Sequence, residues 1–309
     1  MELIRGIHNL RQQHLGSVAT IGNFDGVHVG HQHVLKQLAD KAKSLGGVST
    51  VITFEPQPLE YFSAKSAPAR LMRLREKIQN LQCFAVERVL CLRFNKALAE
   101  MAYQEFIEQV LVKGLGVRYL VVGDDFRFGK NREGCFEHLV AAGKQHGFDV
   151  VNMPTLSIEQ QRVSSTRIRS ALEAGRFDDA QKMLGQTYKM AGRVAHGEKL
   201  GRELGYPTAN IHIHRKVTPL HGIYVVRVTG LKEQPVEGVA SIGTRPTVQG
   251  TKVILEVFLF DFNEQIYGKH LEVVFLKKLR EELSFDSLEL LKDQIAIDVE
   301  QAKDFFSKH

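Results

Sequence analysis

Between residues 17 and 153, short apolar runs alternate with helix-period stretches, and that alternation leaves few folds open. SVATIG (17–22), GVSTVITF (47–54), RVLCLRF (88–94), RYLVVG (118–123) and FDVVNM (148–153) read as buried strands. Helical periodicity fills the intervals at 31–45, 71–81, 103–113 and 134–146. Successive strands separated by helices imply crossovers, so the first domain is expected to be α/β, with a parallel sheet covered on both faces.

The pattern changes near residue 186, after two helical segments at 167–174 and 177–184. GIYVVRV (222–228), VEGVASIG (236–243), VILEVFLFDF (253–262) and LEVVFLKKL (271–279) are strands set off by glycine turns, with no helices between them. This spacing predicts an antiparallel all-β barrel or sandwich. A helical stretch from Ser287 to Phe306 would close it. Two domains, 1–185 and 186–309, are therefore expected, in line with a 309-residue length that exceeds one comfortable core.

Composition excludes several classes. No apolar run approaches the roughly 20 residues needed to span a bilayer, and the first residues lack a signal-peptide pattern. Cys83, Cys91 and Cys135 show no CxxC spacing, which argues against a disulfide framework and fits a reducing, cytoplasmic setting. Residues 1–185 carry 24 basic against 19 acidic side chains, and the remainder 17 against 16. That bias suits polyanionic small substrates in the first half and is too diffuse for a nucleic-acid surface. The expectation is a monomer or weak homo-oligomer with neither nucleic-acid nor membrane partners.

The first chemical feature is GNFDGVHVGH (22–31), placed where a strand gives way to a helix. Gly22 and Gly26 permit a tight turn that brings backbone close to a ligand. His28 and His31, three apart at the helix start, can face one way. Free N–H groups and the helix dipole already favour phosphate there. Taken alone, such a pair also reads as two helix-capping histidines. The second feature is GRVAHGEKLGRELGYPTANI (192–211), in which Thr208 and Asn210 share one strand face and offer oxygen ligands to Mg²⁺ or phosphate. No GxxxxGK[ST] is present, so a P-loop is excluded.

In order along the chain, these segments resemble those of the bacterial bifunctional riboflavin kinase/FMN adenylyltransferase (FAD synthetase) family. GxFDGxHxGH is similar to the HxGH motif of nucleotidylyl transferases. The resemblance implies a Rossmann-like first domain that joins FMN and ATP to give FAD and pyrophosphate. Its implied catalytic residues are His28 and His31, with Gly22, Asn23, Phe24, Asp25 and Gly26 on the nucleotide. RVSSTRIR (162–169) resembles the loop that grips ATP phosphates, giving Ser164, Ser165, Thr166, Arg167 and Arg169. FEPQP and GDDFRFGKNREG (123–134) resemble flavin-side segments, giving Phe54, Pro56, Pro58, Asp125, Phe126, Arg127 and Phe128. Asp124 or Asp125 could hold Mg²⁺ or a ribose, and Phe126 and Phe128 could stack on a ring or form a buried pair.

GxxxxGRxLGxPTAN resembles the riboflavin kinase domain, a barrel closed by a terminal helix. It implies nucleotide contacts from Gly197, Gly201, Arg202, Gly205, Pro207, Thr208 and Asn210, with Thr208 and Asn210 also toward Mg²⁺. Glu256 corresponds to the glutamate that accepts the ribityl 5′-hydroxyl proton. LREELSF (279–285) resembles a segment near the flavin, giving Arg280, Glu282 and Phe285. Phe258 stands where relatives often carry His. The substrates implied are riboflavin, FMN and ATP. Alternatives are a single-activity enzyme, a flavin sensor, or transfer to another acceptor such as pantetheine phosphate. The joint presence of His28, His31, Thr208, Asn210 and Glu256 argues against the first, Glu256 against the second, and the kinase-type barrel in the same chain against the third.

Overall fold

The computed structural model describes the chain apart from residues 65, 124, 154–155, 159, 198–200, 202–203 and 248–249. It divides into two compact units. One comprises Met1–Pro68 and Met72–Ser164, the other Ala69–Leu71 and Ser165–His309.

The first unit holds a six-stranded parallel sheet. Its strands are β1 (Glu2–Arg5), β2 (Ser17–Ile21), β3 (Val48–Glu55), β4 (Arg88–Arg93), β5 (Tyr119–Gly123) and β6 (Asp149–Met153), in the order β1-β4-β3-β2-β5-β6. Strand side chains alternate in direction, and the two cores follow that alternation. Ala19, Ile21, Ile52, Leu90, Leu120 and Val122 join one cluster; Val18, Val51, Val89 and Val121 join the other. Helix α1 (Val29–Leu45) covers the second cluster with Leu35, Leu38 and Ala42, an i, i+3, i+7 stripe. Gly46 ends it in the left-handed region at φ 57°. Helix α2 (Pro58–Phe62) has Pro58 at its first position, where a missing backbone N–H breaks no helical hydrogen bond. Helices α3 (Leu74–Gln82) and α4 (Lys96–Glu100) follow. α5 (Tyr103–Phe106) continues into a π-helical turn, Ile107–Val112, and with α6 (Phe136–His146) covers the first cluster. A two-stranded ribbon, β7 (Ser157–Ile158) and β8 (Gln161–Arg162), ends the unit.

The chain leaves β2 toward β3 on one side, whereas β5 and β6 build out on the other. The order therefore reverses between β2 and β5, and the loops after both strands flank that reversal. Ligands bind at this place in open α/β sheets.

The second unit opens with α7 (Ser165–Glu173) and α8 (Phe177–Leu184). A closed barrel follows, built from β9 (Lys189–Ala195), β10 (Thr208–His212), β11 (Gly222–Thr229), β12 (Val236–Thr247), β13 (Gly250–Leu259) and β14 (His270–Arg280) in the order β10-β13-β12-β11-β14-β9. The neighbours are antiparallel. Ala240, Ile242, Leu255, Val257 and Tyr224 are buried with one parity and fill the lumen. The opposite parity supplies an outer apolar patch of Ile223, Val225, Val239 and Phe258. The terminal helix α9 (Leu288–Lys308) covers it with Val299, Ala302, Phe305 and Phe306.

Candidate active sites

In the first unit, the turn after β2 is held in an unusual conformation. Phe24, Gly26 and Val27 have φ of 47°, 83° and 40°. Only the glycine adopts this region without cost, and a β-branched residue there is a genuine outlier. Such strain persists where surrounding structure over-determines it and is typical of ligand sites. Here Phe24 and Val27 are buried, and Asp25 Oδ1 accepts the Met72 N–H at 3.1 Å.

The turn delivers His28 to the N-cap of α1. Its Nδ1 accepts the His31 backbone N–H at 3.3 Å, so the ring's other nitrogen carries the proton of the neutral tautomer. The two imidazoles are stacked with centroids 3.6 Å apart, and Phe24 packs on His31 at 4.9 Å. His31 Nδ1 is sealed from solvent with no hydrogen-bond partner among the described residues. Burial, reinforced by the positive charge of Arg162, pushes His28 down to about 4. Burial, then His28 and Lys77, holds His31 well below the ordinary imidazole range. Both rings are neutral at physiological pH and can act as hydrogen-bond donors.

The loop after β5 lies on the other side of the sheet reversal. Asp125 is exposed and accepts Arg162 Nη2 at 3.0 Å. Arg127 is exposed and bonds the Phe126 carbonyl. Phe126 and Phe128 form a stacked pair at 5.4 Å. Phe128 is buried against Phe106 and Tyr103, which favours the buried-pair reading for that ring. At the end of β3, Phe54 meets Phe94 at 5.9 Å. Phe94 in turn touches Tyr61 and Phe62, at 5.5 and 5.6 Å. Tyr61 and Phe62 are 40% and 64% exposed, an open aromatic surface that the reading of FEPQP missed. The signal was there in LEYF, immediately after Pro58.

Ser164 ends the first unit, whereas Ser165, Thr166, Arg167 and Arg169 belong to the second. Arg169 Nη2 donates to Thr166 Oγ1 at 3.3 Å and Nη1 to the Ala69 carbonyl at 3.5 Å. Asp124 and Arg202 lie outside the described residues.

In the second unit the barrel register gathers the expected kinase residues. Glu256 on β13 faces Asn210 on β10 and Ser241 on β12. Thr208 faces Phe258 one step along. Directly opposed residues share a sheet face, and this face is the outer one, since the alternate residues fill the lumen. The row Asn210–Glu256–Ser241 thus lies on the barrel wall beside the patch under α9. Phe258, in the position where His was noted in relatives, packs against Tyr206 at 5.3 Å and Phe260 at 5.8 Å.

Asn210 occupies space that only a glycine leaves open. A β-carbon on Gly197 would lie 2.1 Å from Asn210 Nδ2. Gly205 has φ 88°, and a β-carbon on Gly201 would lie 2.5 Å from the Tyr206 carbonyl. Pro207 precedes β10. His196 beside this loop stacks on the half-exposed Tyr267 at 4.1 Å, a surface that sequence reasoning did not single out. His212 and His214 meet at 4.1 Å, and no cluster of three or more metal-ligating His, Cys, Asp or Glu exists among the described residues. Arg280 is bound by Asp298, Glu282 lies over Gly243, and Phe285 sits beneath the Arg280 guanidinium.

A parallel sheet with stacked imidazoles at its reversal point and a closed barrel with a polar row on its wall give the chain two units, each with its own polar constellation. The FAD synthetase family model matches residues 10–167 and the riboflavin kinase model residues 184–306. A bifunctional riboflavin kinase/FMN adenylyltransferase from Haemophilus influenzae is 49% identical over 307 residues, covering 99% of this chain and all of that protein. Its counterpart from Escherichia coli K12 is also 49% identical, covering 99% of this chain and 98% of its own. A crystal structure named as a macrolide-efflux protein from Streptococcus pneumoniae matches with a TM-score of 0.79 at 31% identity, over 96% of this chain and 97% of its own. The chain belongs to the bifunctional riboflavin kinase/FMN adenylyltransferase family, with its FAD synthetase and flavokinase domains in that order.

Proposed function

We propose that the two activities are carried by separate constellations: His28 and His31 for FMN adenylylation, and Glu256 with Thr208 and Asn210 for riboflavin phosphorylation. The observation that carries this reading is the cross-strand pairing of Glu256 with Asn210, far in sequence from the stacked histidines capping α1.

In the first reaction an FMN phosphate oxygen attacks the α-phosphorus of ATP. A P–O bond forms there as the bond to the bridging oxygen breaks, and pyrophosphate leaves. The neutral His28 ring donates its free N–H to a phosphate oxygen, and the α1 amides stabilise charge that builds in the transition state. The exposed Tyr61 and Phe62 rings offer the flavin a stacking surface. The roles of Ser164, Ser165, Thr166, Arg167 and Arg169 on the departing phosphates rest on the family resemblance, as do those of Phe54, Pro56, Asp125, Phe126 and Arg127 toward flavin.

In the second reaction Glu256 accepts the proton of the ribityl 5′-hydroxyl. The oxygen forms a bond to the γ-phosphorus and ADP departs. The Thr208 hydroxyl and Asn210 carboxamide fit Mg²⁺: they are hard oxygen donors, and Gly197 leaves the room Asn210 needs. When bound, Mg²⁺ would neutralise phosphate charge. Three cysteines without CxxC spacing and a diffuse charge support a cytoplasmic enzyme, monomeric or weakly self-associating, acting on small molecules.

Chromatography of products from riboflavin or FMN with ATP and Mg²⁺ tests the division. His28→Ala with His31→Ala should block FMN-to-FAD conversion and let FMN accumulate. Glu256→Gln should stop FMN formation and spare FAD formation from FMN. Equal loss of both steps from either change would overturn the reading.

A further inference from the structure

The turn between β2 and α1 rests on a second helix. Asp25 Oδ1 accepts the Met72 N–H at 3.1 Å, and Met72 stands just ahead of α3. The inner face of α3 carries Lys77 and Leu81, one turn apart and both without exposed surface. Met72 and Leu81 pack in the same apolar cluster as Phe24, Val27 and Leu35, so this face meets the strained turn and the start of α1. Helical side chains lean toward the helix N-terminus. Lys77 therefore reaches from α3 back toward the turn that Asp25 ties down, and its charge is felt at His31. A lysine enclosed so fully is uncommon, because a buried ammonium costs free energy unless polar groups around it compensate.

His31 presents two unlike sides. Its Nδ1 is sealed from solvent with no hydrogen-bond partner among the described residues, although the residue as a whole is only half-buried. That leaves Nε2 as the nitrogen able to meet a ligand. A neutral imidazole carries its proton on one nitrogen and a lone pair on the other. For His28 the choice is made by the backbone amide that its Nδ1 accepts. For His31 no hydrogen bond at Nδ1 makes it. An ammonium without exposed surface lies toward the sealed side of the ring, and a positive charge there attracts a lone pair and opposes an N–H dipole.

We propose that Lys77 is a positioning residue of the adenylyltransferase site: its buried ammonium holds the His31 lone pair on Nδ1, so that His31, like His28, presents an Nε2–H to the phosphates of ATP. The inference rests on the assignment of His28 and His31 to adenylyl transfer. Two stacked rings in the same tautomer put two donors side by side at the start of α1, where backbone N–H groups already favour phosphate.

The test is nitrogen-15 correlation NMR of the histidine rings in the full-length protein, where protonated and lone-pair nitrogens separate by chemical shift. His31 is assigned among the 13 histidines by the signal lost in His31→Gln. In the wild type near neutral pH, His31 should show a protonated Nε2 and a bare Nδ1. Lys77→Met should bring in a population protonated at Nδ1, and Lys77→Arg should keep the wild-type pattern. The His28 tautomer, set by a backbone amide, should be the same in all three proteins and reports that the turn is folded. Lys77→Met should lower kcat for FMN-to-FAD conversion about tenfold, with a smaller change in the KM for ATP. Outright loss of such a donor costs on the order of 10²-fold, and here part of the population keeps its proton at Nε2. Riboflavin phosphorylation should not change. A wild-type His31 protonated at Nδ1 would overturn the role of Lys77 without recourse to any variant. So would an unchanged His31 tautomer in Lys77→Met with the His28 signal in place, and both results leave the histidine assignment standing. A tautomer change with no loss of FMN-to-FAD rate would uphold the placement of the proton by Lys77 and count against that assignment.

Discussion

His28 and His31 stack with planes 15° from parallel, and the nitrogen by which His28 caps α1 is bonded to His31's own backbone amide. One contact therefore fixes the helix start and sets the tautomer of His28. A second positive charge at this distance, in a desolvated site, would be strongly opposed. The pair is built to stay neutral, which suits donation to a phosphate oxygen better than transfer of a proton.

That neutrality has a consequence for stability. In the unfolded chain His28 titrates near 6.5, and in the folded chain near 4. Between those values the unfolded state binds more protons, so stability rises with pH. The contribution is complete above about 6.5 and is lost as pH falls toward 4, with a limiting slope of about 1.4 kcal/mol per pH unit. Amide exchange of β2 and α1 should show faster opening at pH 5 than at pH 7.5. His28→Asn keeps a good N-cap and should flatten that dependence. An unchanged pH profile in the variant would show that the histidine does not carry it.

The alternation of strands and helices and the strand-end HxGH were open to direct reading because both are local patterns. What escaped depends on distant pairing. β1 is four residues, too short to show a period, and only its pairing with β4, more than 80 residues on, makes it a strand. The Asn210–Glu256–Ser241 row requires the register of three strands, which no local spacing encodes. Asp298 is one of many acidic residues on a helix with amphipathic periodicity, and its role emerges only when Arg280 reaches it. Phe258 was visible as a departure, but its packing beside the helix-covered patch was not.

Gly197 gives a sharp steric test of the kinase site. An alanine there places a methyl carbon 2.1 Å from Asn210 Nδ2 and 2.4 Å from its Cγ, so the carboxamide must move. A displacement of this size in phosphate-positioning groups costs on the order of 10²-fold in rate. Gly197→Ala should therefore cut riboflavin phosphorylation by about that factor, while FAD formation from supplied FMN continues. Retention of full kinase activity would show that Asn210 is not needed where it sits.

The open aromatic surface after β3 separates function from stability. Phe62 is 64% exposed, so replacing it with serine should change folding free energy by no more than about 0.5 kcal/mol. If the ring stacks on flavin, loss of the contact should raise the FMN KM for FAD formation roughly five- to tenfold, in keeping with a stacking contribution of about 1 kcal/mol. The riboflavin KM of the kinase step serves as the internal comparison and should not move.

Arg162 links the two loops that flank the sheet reversal, since it bonds Asp125 and also bears electrostatically on His28. As an exposed ion pair, its bond to Asp125 is worth little to stability, about 0–1 kcal/mol. Its effect on His28 is of a different kind: a nearby positive charge disfavours the imidazolium, so removing it should raise the His28 pKa. Burial is the larger cause and remains, which bounds the rise: the value should stay below 6.5. Titration of the His28 ring by NMR in Arg162→Ala should show an upward shift that Arg162→Lys largely reverses. On the proposed role of neutral His28, the acid limb of FAD formation should move to higher pH in the alanine variant by the same amount. A shift in the ring without a shift in the activity profile would mean that protonation of His28 does not limit the adenylyl transfer.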